Sequence, residues 1–121
     1  MVDLYGRVVL VAEEEYFIAD SVARVLERSG ADILGPVSTV DGALTLLEVL
    51  HRVDGAVLDI HLHDEAIYPL IDALKARSIP YVFATGSEEA DIPIQYKDVP
   101  RWTTPYNLDD LVRELGAFSR R

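Results

Sequence analysis

Residues 54–65, which read DGAVLDIHLHDE, decide how the rest of the chain is interpreted. Within them, the apolar run from Gly55 to Leu58 follows a turn residue and ends in Asp59. An uninterrupted apolar run is typical of a strand buried on both faces of a parallel sheet. In open α/β sheets, ligands bind at the carboxyl ends of the strands. We therefore predict a functional role for Asp59, the alternative being a loop aspartate that caps a turn.

Strand-like and helix-like segments alternate along the remaining sequence. Apolar runs predict four further strands, and apolar residues at helical spacing predict the helices between them. The predicted strands are Arg7–Ala12, Asp32–Val37 (broken by Gly35-Pro36), Tyr81–Ala84 and Arg101–Thr103. The predicted helices are Glu15–Ser29 (ended by Gly30), Thr39 or Val40 to Leu50 (capped by Ser38 or Thr39), Ile67–Arg77 (Pro69 in its first turn) and an amphipathic helix over Leu108 to Phe118. Residues 87–100 are acidic and contain two prolines, which predicts only a short or irregular helix.

This alternation predicts an α/β protein with a parallel sheet covered on both faces by right-handed crossovers. Five such units in 121 residues fit a flavodoxin-like (βα)5 three-layer sandwich with strand order 2-1-3-4-5. We interpret residues 1–121 as one domain, because no linker or internal repeat divides them. In that strand order the crevice lies between the first and third strands, which brings Glu13 and Glu14 beside Asp59.

Composition narrows the class of partner. The formal net charge of −10 opposes direct binding to nucleic acid, whose phosphates are also negative. No apolar run approaches the length needed to span a membrane, and the N-terminus lacks the pattern of a signal peptide. The absence of cysteine excludes disulfides and thiolate metal sites. We expect a cytoplasmic protein whose partners are a cation and other proteins.

The predicted site is a group of carboxylates with a nearby hydroxyl. Crowded carboxylates repel one another, and a bound divalent cation relieves that repulsion. Oxygen ligands without thiolates favour Mg²⁺ or a similarly hard ion, which would leave Asp59 ionised and able to attack phosphorus. Thr85, followed by Gly86, supplies a hydroxyl at the end of the fourth strand, although this pair also fits ordinary turn chemistry. Likewise, Glu13 to Glu15 also fit an acidic cluster at a helix N-terminus.

Three other candidates carry less weight. His61 and His63 alternate on a loop, which favours solvated side chains over a two-histidine metal site. His51 follows a helix and is expected to complement its dipole. Trp102 is interpreted as a packing residue of the last strand, with partial exposure at a partner surface as the alternative.

Four motifs, in register and in order, resemble the receiver domains of bacterial two-component response regulators. They are VLVAEEEYFIAD at the first strand, AVLDIHL at the third, YVFATG at the fourth and TPYNLDDL before the last helix. The resemblance covers residues 6–118. FATGS also resembles the start of the motif that defines the FATGUY receivers of alphaproteobacteria, although the aromatic residue expected after it is absent.

The resemblance implies roles for particular residues. Asp59 would accept a phosphoryl group from the phosphohistidine of a histidine kinase or phosphotransfer protein. Glu14 would bind Mg²⁺ directly and Glu13 through water, with the backbone carbonyl of His61 as a further ligand. Thr85 would hydrogen-bond the phosphoryl oxygen and draw its loop inward as the switch.

Two departures from the family make the site degenerate. Receivers carry Asp where this chain has Glu14, so the extra methylene displaces a carboxylate. The lysine that precedes the proline of the last turn is replaced by Thr104, whose hydroxyl cannot supply the missing charge. Lys97 and Arg101 are possible substitutes. Arg101 also occupies the position of the usual aromatic switch, which excludes an aromatic rotamer change there.

Three functions follow from these residues. The first is a stand-alone phosphoacceptor receiver without an attached output domain, with a homodimer as one option. It would act through protein contacts made by its fourth helix, last strand and last helix, including Arg101, Trp102 and residues 108–118. The second is a pseudo-receiver, a binding or dimerisation module that is not phosphorylated. The third is a small magnesium-dependent phosphatase, which the absence of a general acid and of a substrate-covering domain disfavours. We expect the first and expect no enzymatic turnover beyond self-phosphorylation and self-dephosphorylation.

Overall fold

The structure, a computed structural model, describes residues 4–60, 62, 67–85, 99 and 101–103. In this part of the chain, the elements are β1 Val8–Ala12, α1 Tyr16–Arg28, β2 Asp32–Val37, α2 Val40–Val49, β3 Gly55–Leu58, α3 Tyr68–Ala76, β4 Tyr81–Thr85 and β5 Arg101–Thr103. The predicted helices in residues 87–100 and 108–118 lie outside the described residues. No helix in the described ranges is long and apolar enough to cross a membrane.

The five strands form one parallel sheet in the order β2-β1-β3-β4-β5, as the sequence predicts. The predicted bounds differ from the observed ones by one residue at several ends, where helices and strands fray. β3 lies in the centre, and all four of its residues are buried. Its apolar run is therefore explained by helices that cover both faces of the sheet.

The two faces of the sheet bury different side chains, because successive residues of a strand point to opposite sides. One layer packs against α2 and α3 and includes Leu10, Leu58 and Phe83. The other packs against α1 and includes Val57 and Trp102. Trp102 is 1 % exposed, so its interpretation as a packing residue is confirmed and its predicted alternative, exposure at a partner surface, is wrong.

β2 continues through Gly35-Pro36 instead of breaking there. Leu34 pairs with Leu10 but Val37 pairs with Ala12, so β2 accommodates one extra residue. Gly35 has φ +98°, and a Cβ at this position would lie 2.6 Å from the amide nitrogen of Val37. Only glycine fits this backbone. The irregularity sets the end of β2, where Val37 accepts the amide hydrogen bond of Glu13 at 2.9 Å.

Asp54, the turn residue before β3, aligns β3 with β1. Its carboxylate is buried and accepts a hydrogen bond from the amide of Val8 at 2.8 Å. Its own amide donates to the carbonyl of Val8 at 2.7 Å. Arg52 donates to the same carboxylate at 3.1 Å, so the buried charge is paired.

Helix ends are set by local hydrogen bonds. The Thr39 side chain accepts from the amide of Gly42 at 2.9 Å, so Thr39 rather than Ser38 caps α2. At the end of α1, Gly30 adopts φ +96° and donates to the carbonyl of Glu27, while Ala31 donates to Leu26. This pattern is a Schellman motif, and it confirms Gly30 as the stop.

The carboxyl end of α2 is capped by Arg77, from the turn after α3. Its guanidinium donates to the carbonyls of Leu47 at 2.6 Å, Leu50 at 3.1 Å and His51 at 3.0 Å. Cations at this end of a helix satisfy its free carbonyls and complement its dipole. His51, the predicted dipole partner, contributes its backbone carbonyl to this cap and is exposed; the role of its side chain stays a prediction.

Replacing Arg77 by Met should therefore destabilise the protein. Met keeps most of the apolar stem but removes all three hydrogen bonds, and we expect a loss of about 1–3 kcal/mol in the free energy of unfolding. Urea denaturation measures it. Arg28→Met, an exposed basic residue in the last turn of α1, is the matched control and should lose less than about 1 kcal/mol. Equal losses in the two variants would contradict the capping role.

Candidate functional site

Glu13 and Asp59 each follow their strand by one residue, at the carboxyl edge of the sheet. Backbone hydrogen bonds of the sheet continue to both residues. The amide of Glu13 donates to Val37 at 2.9 Å, and the amide of Asp59 donates to Ala12 at 2.8 Å. The two carboxylates are therefore held side by side at the point where strand order reverses, between β1 and β3.

Glu13 is the buried member of this pair, with 6 % of its surface exposed. Its Oε2 accepts a hydrogen bond from the amide of Glu15 at 3.1 Å. Burial raises the pKa of Glu13 to about 8, and its hydrogen bond to Asp59 together with the charge of Asp59 adds to the shift. Glu13 in its protonated form thus donates to the Asp59 carboxylate, which is half-buried.

The three consecutive glutamates play different parts. Glu14 is exposed, whereas Glu13 faces Asp59. Glu15 occupies the N-cap position of α1 without a side-chain cap, and the first turn of α1 contains no acidic residue. The carboxylate of Glu13 contacts both Asp59 and the amide of Glu15 at the N-cap of α1, so the sequence-based alternative, an acidic cluster at the helix N-terminus, stays a prediction.

Thr85 reaches the same edge of the sheet. It is the last residue of β4, and its backbone lies opposite Thr103 at the end of β5. Leu58 lies opposite Phe83, so the register places Asp59 at the level of Ala84, one residue short of Thr85. The predicted roles of His61, His63, Lys97 and Thr104 fall outside the described residues.

Arg101 starts β5 rather than ending it. It is half-buried and lies opposite Phe83, with Trp102 and Thr103 between it and position 104. Position 104 lies outside the described residues, so the predicted substitution of Arg101 for the missing lysine stays a prediction.

The side chains at this edge of the sheet offer carboxylate oxygens, the ligand type that a hard cation such as Mg²⁺ prefers. Two of the predicted magnesium ligands, Glu13 and Asp59, are in contact. Burial is the main cause of the raised pKa of Glu13, and the repulsion from Asp59 that adds to it is the part that a cation would relieve. Across the described ranges, no three acidic or histidine side chains are arranged to hold a metal ion together. The ligand roles of Glu14 and of the His61 carbonyl remain predictions.

Solved structures of known proteins resemble this chain in sequence and in fold. The solution structure of SdrG from Sphingomonas melonis Fr1 is 33% identical, with a TM-score of 0.79, and the match covers 97% of this chain and 98% of that one. The chain belongs to the response regulator receiver domains. The same protein in its BeF3-activated conformation matches with 34% identity and a TM-score of 0.74.

More distant matches agree with this assignment of the receiver. The response regulator PhyR from Brucella abortus is 24% identical with a TM-score of 0.70, over 93% of this chain and 46% of that one, which supports the fold. SdrG and PhyR are alphaproteobacterial receivers, the group whose motif the FATGS sequence of this chain resembles. The transcriptional regulatory protein PdtaR of Mycobacterium tuberculosis is 27% identical over 119 residues. The match spans 94% of the receiver but 58% of PdtaR. No family model matches the chain.

Proposed function

We propose that this receiver accepts a phosphoryl group on Asp59 from the phosphohistidine of a histidine kinase or phosphotransfer protein. The observation that carries the proposal is the position of Asp59, which follows β3 at the strand-order reversal and contacts Glu13. The 33% identity to SdrG, for which a BeF3-activated conformation exists, adds support because beryllofluoride mimics a phosphoryl group.

The transfer needs only one nucleophile from this chain. A carboxylate oxygen of Asp59 would form the new bond to phosphorus while the bond from phosphorus to the imidazole nitrogen breaks, and the electron pair returns to the imidazole. Glu13 would have to release its hydrogen bond to Asp59 as the phosphoryl group arrives. Thr85, at the end of β4, would donate a hydrogen bond to a phosphoryl oxygen.

Glu13, Glu14, Asp59 and the carbonyl of His61 are the residues that would hold Mg²⁺. The ion would supply the positive charge that offsets the carboxylates and the phosphoryl oxygens. Its role here is a proposal, supported by the all-oxygen ligands and by the crowding of Glu13 against Asp59.

Signalling would proceed through protein contacts rather than through enzymatic turnover. The candidate output surface consists of the predicted fourth helix, the last strand and the last predicted helix, including Arg101 and residues 108–118. Trp102 does not belong to it, because its side chain is buried. We propose a cytoplasmic location and no direct contact with nucleic acid or membrane. The chain spans 58% of the length of PdtaR. Homodimerisation and an additional output segment are therefore both open to proposal.

Intact mass spectrometry tests the phosphoacceptor. After incubation with acetyl phosphate and Mg²⁺, we expect one phosphoryl adduct on the native protein and on Asp72→Ala, an exposed aspartate of α3. Asp59→Ala should carry none, because the nucleophile is gone. An adduct that persists in Asp59→Ala would contradict the assignment of Asp59.

A pseudo-receiver is the second candidate, and two observations favour it. Thr104 replaces the lysine of the family, and Glu13 already occupies the Asp59 carboxylate with a hydrogen bond. In that case neither acetyl phosphate nor beryllofluoride would modify the native protein, and its binding surface would carry the function.

A further inference from the structure

A groove runs from the Asp59 edge, where Glu13 and Glu14 line it, along the flank of α1 that faces β2. It encloses about 430 Å³ and is bounded on the opposite side by Pro36 and Ser38, at the end of β2 and just after it. Ala19 and Ala23 form its apolar floor, since their small side chains leave space that larger ones would fill. Asp59 is not among the residues that line it.

An exposed aromatic residue stands at one end of this groove. Tyr16 lines it and is 72 % exposed. Phe17, the next residue, is 78 % exposed, and its ring packs edge to face against the Tyr16 ring, with 5.6 Å between the ring centroids. Aromatic side chains left in solvent beside an apolar groove are enriched at protein-binding surfaces.

The charges around the groove select the kind of occupant. Its acidic residues are Glu13, Glu14, Asp20 and Glu27, and none of the described residues that line it is basic. Glu13, whose pKa burial raises to about 8, contributes little negative charge at neutral pH. Arg24 pairs with Asp20 at 2.8 Å, so that charge is compensated. Glu27 lies about three turns along α1 from Tyr16, or about 16 Å, so acidic groups stand near both ends. A positively charged segment is complementary to this groove.

We propose that the groove binds a short basic segment of a partner protein. Lysine or arginine side chains would lie against Glu14 and Glu27, and small apolar side chains would pack on Ala19 and Ala23 beside the Tyr16 ring. A cationic side chain that lies over an aromatic face and beside carboxylates is stabilised by the ring and by the negative charges. Asp59 does not line the groove, so this binding does not require phosphorylation of Asp59, but it shares Glu14 with the proposed Mg²⁺ site.

The first test is titration of the isotope-labelled protein with an alternating lysine–alanine peptide at about 0.15 M salt, where distant charges are screened. We expect saturable binding, with amide shifts concentrated in α1 and residues 36–38. A glutamine–alanine peptide should not bind. Glu27→Lys should weaken the affinity about tenfold, because it reverses a charge at the groove.

Two matched controls separate the groove from general attraction to an acidic protein. Glu48→Lys makes the same charge change on the exposed face of α2 and should weaken affinity less than about twofold. Tyr16→Ala should weaken it more than Phe17→Ala, because only Tyr16 lines the groove. Absence of saturable binding, equal effects of the two lysine variants, or equal effects of the two alanine variants would overturn the proposal. Spermidine binding as tightly as the peptide, with the same response to Glu27→Lys, would also overturn it in favour of a free polyamine.

Discussion

Replacing Glu13 by Gln should make the metal-free receiver more stable above neutral pH. The pKa of Glu13 rises from 4.5 to about 8 on folding, chiefly because the side chain is buried. Folded protein therefore binds more protons than unfolded protein between these values, and stability must fall as pH rises through this window. The contribution of Glu13 to the free energy of unfolding is fully present below about pH 4.5 and is lost as the pH rises through about 8.

Gln removes this dependence while keeping the local hydrogen bonds. Its amide NH₂ can donate to Asp59, and its carbonyl oxygen can accept from the amide of Glu15, as the protonated Glu13 does. At about 1.4 kcal/mol per pKa unit the full shift would correspond to about 5 kcal/mol. Solvent at the open edge of the sheet screens part of it, so we expect Glu13→Gln to gain on the order of 2 kcal/mol at pH 8.5 and almost nothing at pH 4.

Urea denaturation at several pH values, in the presence of EDTA, measures this difference. Glu48→Gln, on the exposed surface of α2, should follow the pH dependence of the native protein. If Glu13→Gln runs parallel to the native protein across the range, Glu13 does not carry the raised pKa. A gain at pH 8.5 that disappears when Mg²⁺ replaces EDTA would support the proposed ion, because a bound ion would stabilise the ionised form of Glu13 in the native protein.

The fold could be predicted because its strongest signals are local. The run from Gly55 to Leu58 identifies a doubly buried strand, and Gly30 identifies a helix end that needs φ > 0. The path of β2 was less legible, since Gly35-Pro36 suggests a break. The sheet instead absorbs the extra residue as a shift in pairing with β1.

Side-chain environments required the tertiary structure. The sequence places three glutamates at the end of β1 but does not indicate that Glu13 is buried against Asp59 while Glu14 is exposed. Trp102 had two interpretations until its strand register placed it beside the α1 layer of the core. The cap that Arg77 provides could not be found locally, because it joins residues about 30 positions apart. The groove along α1 likewise arises only when α1 packs beside the irregular end of β2.

Restoring the missing lysine should increase phosphoryl binding by a large factor. In the family, a lysine at the position of Thr104 pairs with the phosphorylated aspartate, and Thr104 directly follows the last residue of β5 in the sequence. A hydrogen bond to a charged group contributes about 1.5–3 kcal/mol. Thr104→Lys should therefore tighten beryllofluoride binding, or raise the phosphorylated fraction at limiting acetyl phosphate, by about tenfold to a hundredfold.

A control variant separates the effect of a lysine at position 104 from the effect of one added positive charge elsewhere on the protein. Thr45→Lys makes the same substitution on the exposed face of α2 and should change beryllofluoride affinity less than about twofold at physiological salt, because screening weakens distant charges. Fluorescence of Trp102, buried on the α1 side of the sheet, offers a readout of beryllofluoride binding that is independent of mass measurements. If Thr104→Lys and Thr45→Lys respond alike, position 104 does not face the phosphoryl site. If neither variant nor native protein binds beryllofluoride, the phosphoacceptor proposal gives way to the pseudo-receiver, whose groove and output surface would then carry its function.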